Sequence, residues 1–107
     1  MKLPAIVTEL VNAQNSQDSA AYAACFTVDA TVFDEGHDHK GREEIKTWNE
    51  DTTAKYQSLM EPIEYSESGD MAVLTAKISG TFPGSPIVLK YNMELAQGLI
   101  RSLKITG

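Results

Sequence analysis

The hydrophobic residues in the first half of the chain recur at helical intervals. Residues 3–15 carry apolar side chains three or four positions apart, which predicts a helix with one buried face. Residues 16–26 predict a second, short helix, because serine and aspartate capping residues are followed by aromatic and cysteine side chains at helical spacing. A third helix is predicted at residues 41–56. Its apolar stripe consists of Ile45, Trp48, Thr52 and Tyr56.

The remaining segments alternate hydrophobic and polar residues, as strands do. The clearest alternation lies in residues 87–95, after a turn sequence rich in glycine and proline. Another strand is predicted at residues 29–35, between the second and third helices. Three more are predicted at residues 58–67, 71–82 and 99–105. The order α-α-β-α-β-β-β-β, which ends in antiparallel hairpins, indicates one α+β domain over residues 1–107.

Composition and charge narrow the class of protein. With 107 residues, of which 42% are hydrophobic, the chain suits one globular domain. The net charge is −6 and the nine Lys and Arg residues are scattered, so neither nucleic acid nor an anionic membrane surface is an expected partner. The single cysteine, Cys25, excludes an internal disulfide and is expected to be a small buried hydrophobic residue. No segment is long and apolar enough for a membrane span or signal peptide, so we expect a soluble cytoplasmic protein.

Asp34 is the candidate for acid–base chemistry. It shares one strand face with Ala30 and Val32, and the pattern directs that face inward. Because desolvation raises the pKa of a carboxyl group, an inward aspartate is suited to the role of general base. The structural alternative is that Asp34 caps the turn that follows it, or pairs with Arg42 or His39.

His37 and His39 are the only histidines. Their spacing would suit a metal on one face of a strand, with Asp34 or Asp38 nearby. The segment reads as a turn, however, and two histidines fall short of a closed set of ligands. We therefore expect neither a metal nor a cofactor.

One family shares this element order and several specific residues. The segments that carry the resemblance are "ACFTVDATVFDEGHDHKGREEIKTW" and "GTFPGSPIVLKYNMEL". Within them the matching positions are Phe26, Asp29, Ala30, Val32, Asp34, Lys40 to Ile45, and Trp48. On these residues the chain resembles the nuclear transport factor 2-like superfamily, and within it the SnoaL-like domains. The resemblance covers essentially the whole chain.

The resemblance implies both a shape and an assembly. The sheet is expected to curve into a cone, and the helices to close one side around a deep pocket. Many members of the superfamily pair through the outer surface of the sheet, so a homodimer is expected. The residues expected to line the pocket are Tyr22, Phe26, Val32, Trp48, Tyr56, Leu89 and Met93.

The resemblance also implies roles within the pocket. Asp34 matches the proton-abstracting aspartate of the ketosteroid isomerase branch. His39, just before the third helix, is expected to be its hydrogen-bond partner. Independently of the resemblance, the strand parity of Tyr91 points its hydroxyl inward, where it could hold a ligand oxygen, as could Tyr22 or Tyr56.

Two features of that branch are missing here. It stabilises its enolate with a tyrosine on the first helix, where this chain has Leu10, and with a second aspartate on a late strand, where Lys90 and Tyr91 stand. The SnoaL-like cyclases use a late-strand aspartate, whereas Glu94 has outward parity. Neither steroid isomerisation nor cyclisation by that arrangement of residues is therefore expected. The expected function is binding of a small hydrophobic, carbonyl-bearing ligand, with proton transfer by Asp34. The alternative is a non-catalytic ligand-binding or dimerisation module.

Overall fold

The computed structural model describes residues 2–107, which form three helices and six strands. The helices are α1 (Ala5–Asn15), α2 (Ser19–Ala24) and α3 (Gly41–Tyr56). The strands are β1 (Phe26–Asp34), β2 (His37–Lys40), β3 (Leu59–Ser68), β4 (Met71–Ser79), β5 (Ile87–Ala96) and β6 (Leu99–Thr106). The α+β class is confirmed, and α3 has the bounds that the sequence predicts.

All six strands belong to one curved, open sheet in the order β2-β1-β6-β5-β4-β3. The sheet is mixed, because β1 and β6 pair in parallel while the other neighbours are antiparallel. Register shifts interrupt the pairs β1–β6, β3–β4 and β5–β6. Such bulges increase local twist and bend, which helps a sheet to curl.

The core lies between the helices and the inner face of this sheet. Alternate residues of β4 and β5 point into it, so Leu74 of β4 pairs with Tyr91 of β5 on the buried side. On the same side, Met93 of β5 pairs with Leu103 of β6. The inward parity predicted for Tyr91 and Met93 is thus confirmed. The side chains with no exposure are Val7, Leu10, Phe26, Ala30, Val32, Ile45, Leu74, Ala76, Met93 and Ile100.

Strand β2 is absent from the predicted element order. Residues 37–40 read as part of a turn, but they form an edge strand in which Val32 pairs with His39, and Asp34 with His37. Glu35 and Gly36 make the connecting turn, with φ values of 53° and 78°. The prediction was wrong because a short polar edge strand has no hydrophobic alternation to reveal it.

The end of α2 also differs from the prediction. The helix stops at Ala24, Cys25 forms its C-cap, and Phe26 is the first residue of β1. Phe26 is therefore a fully buried strand residue, not the last residue of a helix. Helical spacing of Tyr22 and Phe26 misled the prediction, since both side chains reach the same core from different elements and their rings lie 5.7 Å apart.

Close contacts hold the end of α3 against the loop after β4. The Thr81 backbone N–H donates a 2.7 Å hydrogen bond to the Tyr56 carbonyl oxygen. A Cβ atom at Gly80 would lie 2.3 Å from that same oxygen, so only glycine permits this approach. The rings of Tyr56 and Phe82 meet edge to face at 5.7 Å. These contacts place Phe82 and Pro83 at the edge of the cavity described next.

Candidate functional site

A cavity of about 460 Å³ lies between the helices and the inner face of the sheet. Its wall is mostly apolar and aromatic. The lining residues are Gln14, Tyr22, Asp34, Glu35, Trp48, Asn49, Thr52, Tyr56, Ser58, Ile78, Phe82, Pro83, Ile87, Leu89, Tyr91 and Ile105.

Asp34 supplies a carboxylate to this wall because it is the last residue of β1 and faces inward. The Trp48 indole Nε1–H donates a hydrogen bond of 3.3 Å to Asp34 Oδ2. Partial burial raises the pKa of Asp34, and the neighbouring charge of Glu35 adds to the rise. The Trp48 hydrogen bond, the charge of His39 and the Glu35 backbone N–H oppose it without cancelling it. The site thus contains a half-buried carboxylate that holds its proton more tightly than an ordinary aspartate.

Trp48, not His39, is the hydrogen-bond partner of Asp34. His39 stacks its ring on the indole with centroids 5.5 Å apart, and among the described residues it makes no hydrogen bond to Asp34. The Tyr22 ring packs on the indole as well, with centroids 6.0 Å apart. His39 pairs with Val32, two residues before Asp34, so it meets the indole instead of the carboxylate. The two rings hold the indole in the position from which it donates.

Arg42 is not the partner of Asp34. The Arg42 Nε–H donates to the Phe26 carbonyl oxygen at 2.8 Å, which ties the start of α3 to β1. The Glu35 backbone N–H lowers the pKa of Asp34, so part of the role of this carboxylate is an interaction with the turn before β2. That role and exposure to the cavity are compatible, since a carboxylate accepts several hydrogen bonds.

Tyr22 and Tyr91 bring two phenol groups to the same cavity. Their side chains are 1% and 6% exposed, and within residues 2–107 neither hydroxyl has a hydrogen-bond partner. Thr53 Oγ1 is the only fully buried side-chain polar atom without a partner in the described chain. Since both tyrosine hydroxyls lack a partner, neither is fully buried, and each keeps some accessible surface. Burial raises the pKa of both phenols, and the charge of Asp34 raises it further. Both are therefore neutral donors with free hydrogens.

A chain of amide hydrogen bonds forms another part of the wall. The Ser19 hydroxyl donates to Asn49 Oδ1 at 2.7 Å, and Asn49 Nδ2 donates to Gln14 Oε1 at 3.0 Å. Gln14 Nε2 then donates to the Ser58 carbonyl oxygen at 3.1 Å. The sequence patterns do not predict this chain of hydrogen bonds. The available signal was position, since Gln14 follows Leu10 by four residues and Asn49 follows Ile45 by four, which places both amides on buried helical stripes.

The other predicted pocket residues fall into two groups. Tyr22, Trp48, Tyr56 and Leu89 line the cavity. Phe26, Val32 and Met93 lie behind the wall in the core, so their assignment to the pocket surface needs correction. Strand parity separates inward from outward residues, but it does not separate core from cavity wall.

The charges in the cavity wall are all negative. Asp34 and Glu35 are acidic, and the described lining residues include no lysine, arginine or histidine. Exposed Lys55 lies near the rim, with its Nζ 5.1 Å from the centroid of the Tyr56 ring. Among residues 2–107 no group of three or more His, Cys, Asp or Glu side chains is placed to hold a metal ion. The wall therefore disfavours anionic ligands.

Two residues outside the cavity are inert in this arrangement. Cys25 is buried, which raises the pKa of its thiol to about 11, and its Sγ lies 3.4 Å from the Ala21 carbonyl oxygen. Glu94 pairs with Arg101 away from the cavity, in agreement with its predicted outward parity. Neither residue supplies a nucleophile or an acid to the site.

Sequence comparison decides the family. A family model described as the SnoaL-like domain matches residues 7–99. The chain belongs to the SnoaL-like domain family. No curated protein matches it.

None of the helices described in residues 2–107 has both the length and the hydrophobicity to cross a membrane.

Solved structures show the same fold as this SnoaL-like domain. A candidate polyketide cyclase from Sinorhizobium meliloti is 38% identical, with a TM-score of 0.93 over 97% of this chain and 95% of that one. A ketosteroid isomerase-like fold protein from Catenulispora acidiphila, solved with trimethylamine, is 23% identical, with a TM-score of 0.89 over 99% and 87%. The epoxide hydrolase/cyclase-like enzyme SalBIII is 21% identical, with a TM-score of 0.80 over 94% and 85%. The expected nuclear transport factor 2-like cone fold is thereby confirmed.

Proposed function

We propose that this SnoaL-like domain binds a small hydrophobic carbonyl compound and that Asp34 removes a proton from the carbon beside the carbonyl. The observation that carries this proposal is the position of the Asp34 carboxylate on the wall of an aromatic cavity that also contains two unpaired phenol hydroxyls. A base with a raised pKa keeps its driving force for proton abstraction at neutral pH.

Each residue has a distinct part in the step. The Asp34 carboxylate takes the proton, and the electron pair of the broken C–H bond moves to form an enolate. The hydroxyl of Tyr91 or Tyr22 donates a hydrogen bond to the enolate oxygen, a type of contact that contributes most where water is excluded. Trp48 orients the carboxylate through its indole N–H. If a C=C bond is conjugated with the enolate, protonation at the far carbon of this dienolate would isomerise the compound. Attack of the enolate carbon on a second carbonyl would close a ring.

The comparisons favour a ring-forming reaction. The Sinorhizobium meliloti protein is named as a candidate polyketide cyclase, and SalBIII is named for a role in pyran ring formation. Polyketides carry many carbonyl groups with acidic neighbouring C–H bonds, so their cyclisation can begin with the proton abstraction assigned to Asp34. The mostly apolar wall suits such a substrate.

The direct test is hydrogen–deuterium exchange on 2-tetralone, a bicyclic ketone with acidic C–H bonds. In deuterated buffer, followed by proton NMR, the wild type should exchange the protons at C1 faster than buffer alone. Asp34→Asn should lower the protein-dependent rate by about 10²- to 10⁴-fold, the usual contribution of a general base. Asp38→Asn, an exposed acid outside the cavity, should leave the rate unchanged. Equal rates for wild type and Asp34→Asn would exclude the proposed role.

A non-catalytic binding function is the second candidate. The wall combines two acids with the rings of Tyr22, Trp48, Tyr56 and Phe82, and such a surface attracts an organic cation. The Catenulispora acidiphila protein was solved with trimethylamine. Thermal-shift measurements with small ketones, lactones, polycyclic aromatics and trimethylamine separate the candidates. Stabilisation by the amine alone, with no ketone exchange, would favour the binding module.

We further propose that the domain forms a homodimer through the outer face of the sheet. Met71 and Val88 are about half exposed there, on strands β4 and β5. Size-exclusion chromatography with light scattering at micromolar concentration should give the mass of a dimer. A monomer under these conditions would contradict the assembly.

A further inference from the structure

The cavity has a second polar region, formed by the amides of Gln14 and Asn49, which we call the amide pair. Gln14 lies on the β3 side of the fold, because it bonds to Ser58 immediately before β3. Asp34 lies at the end of β1, and the strands β6, β5 and β4 separate β1 from β3. Three strands therefore lie between the two attachment points, which places Gln14 and Asp34 at different ends of the cavity wall.

The hydrogen-bond chain fixes the orientation of both amides. The Ser58 carbonyl can only accept, so Gln14 must present its nitrogen there and its oxygen toward Asn49. Asn49 must then donate to that oxygen, and its own oxygen accepts from Ser19. Each amide thus uses one N–H and one oxygen lone pair in these hydrogen bonds. One N–H and one lone pair remain free on each side chain.

These free positions lie on side chains that are 8% and 2% exposed and that line the cavity. An apolar ligand that filled this region would displace water from them without replacing its hydrogen bonds. An unpaired buried polar group is costly, so a ligand with a matching polar atom is preferred over one without it.

We propose that the amide pair recognises a neutral hydrogen-bonding oxygen on the end of the ligand remote from Asp34. This inference rests on the proposed function, because it assumes that a carbonyl compound places its reacting end at Asp34. The oxygen belongs to a hydroxyl or a second carbonyl group, both of which an uncharged amide can pair. A carboxylate or phosphate is disfavoured as the remote group, since the wall carries Asp34 and Glu35 and no basic side chain among its described residues.

The test compares 2-tetralone with 6-hydroxy-2-tetralone, whose carbonyl and hydroxyl lie at opposite ends of the same bicycle. Binding to the full-length wild type is measured by NMR titration. The hydroxyl compound should bind about five- to tenfold more tightly, as one additional neutral hydrogen bond predicts. Gln14→Met, which keeps the side-chain length and removes the amide, should reduce this ratio to about one.

Asn15→Ala is the matched control. Asn15 clamps α1 to β3 through two hydrogen bonds with the Met60 backbone, of 2.9 and 2.7 Å, but it does not line the cavity. This variant also loosens α1 from β3, yet it should preserve the affinity ratio. If Gln14→Met does not fold, the wild type still provides a test. The side-chain amide proton signals of Gln14 and Asn49 should move further downfield with 6-hydroxy-2-tetralone than with 2-tetralone, as a new hydrogen bond predicts.

The possible failures are distinguishable. If 2-tetralone binds but the hydroxyl adds no affinity, the amide pair is not a recognition point and the proposed function is unaffected. The same conclusion follows if Gln14→Met preserves the ratio or Asn15→Ala abolishes it, because the hydroxyl would then bind elsewhere, for example at Asp34. If neither compound binds and neither exchanges protons, the proposed function fails and this inference fails with it.

Discussion

The two polar regions of the cavity differ in how far their groups are already satisfied. At the amide pair, Ser19, Asn49, Gln14 and the Ser58 carbonyl bond to one another in an unbroken chain. At the acid end, Asp34 has the Trp48 hydrogen bond, but the hydroxyls of Tyr22 and Tyr91 have no partner in the described chain. The hydrogen bonds of the amide pair join α1, α2 and α3 to the segment before β3. At the acid end, the two phenol hydroxyls are left without protein partners.

This difference sets how much each region contributes to stability. Polar groups that bond to one another inside a protein stabilise it, whereas groups without a protein partner add little to stability. The amide pair stabilises the fold through its mutual bonds and keeps one N–H and one lone pair on each side chain for a ligand. Substitutions at the amide pair should therefore reduce stability, and substitutions at the acid end should reduce activity with little loss of stability.

The largest expected effect on stability is at Asn49. Asn49→Ala removes two hydrogen bonds and leaves Gln14 Oε1 and the Ser19 hydroxyl without their partners. We expect a loss of about 2–3 kcal/mol in the free energy of unfolding, because each unsatisfied buried group costs about 1–3 kcal/mol. Urea denaturation followed by circular dichroism measures this change. A loss below about 0.5 kcal/mol would show that the hydrogen bonds of the amide pair contribute little to the stability of the fold.

Tyr91→Phe should have the opposite profile. It removes a hydroxyl without a protein partner, so the free energy of unfolding should change by less than about 0.5 kcal/mol. The rate of 2-tetralone exchange should fall about 10- to 100-fold, because the enolate loses a donor. The two variants must be measured in the same urea and exchange assays. Comparable losses of stability in both would remove the distinction between the two regions.

A smaller effect is expected on the pH dependence of stability. Since the pKa of Asp34 is raised in the folded state, the folded protein binds this proton more tightly than the unfolded chain does. Stability linked to Asp34 is therefore fully present below the unfolded pKa of about 3.9 and is lost as pH rises through the folded pKa. Asparagine cannot ionise, so Asp34→Asn should melt a few degrees above wild type at pH 7 and close to it at pH 3.

The control for this measurement is Asp38→Asn. Asp38 is exposed on β2 and does not line the cavity, so its substitution should not reproduce the pH-dependent difference. A melting temperature for Asp34→Asn at or below that of wild type at pH 7 would show that ionised Asp34 stabilises the fold. That result is incompatible with a desolvated carboxylate.

The sequence predicts the regular elements better than the polar ones. The third helix and the β5 alternation carry strong periodicity, and both are confirmed. Strand β2 could not be found because "HDHK" has no hydrophobic residue, and its pairing with β1 depends on the tight turn at Glu35 and Gly36. Phe26 was assigned to a helix because spacing does not show where a helix ends once its side chains enter a shared core.

The site was predictable only in part for a similar reason. Alternation along β1 placed Asp34 on the inward face, and the structure shows it in the cavity wall. The contact with Trp48 depends on how α3 lies over β1, which no local pattern encodes. Phe26, Val32 and Met93 are predicted to line the cavity but lie in the core. Strand alternation shows that a side chain points inward, but it does not show whether that side chain reaches the cavity surface.

An NMR pH titration of the Asp34 side-chain carboxyl carbon tests the central claim most directly. A carboxylate partly withdrawn from water into the cavity should titrate with a midpoint above about 3.9, the ordinary value for aspartate. Bound 2-tetralone should raise the midpoint further, since the ligand displaces water from the carboxylate. A midpoint at or below the ordinary value, unchanged by the ketone, would contradict the account.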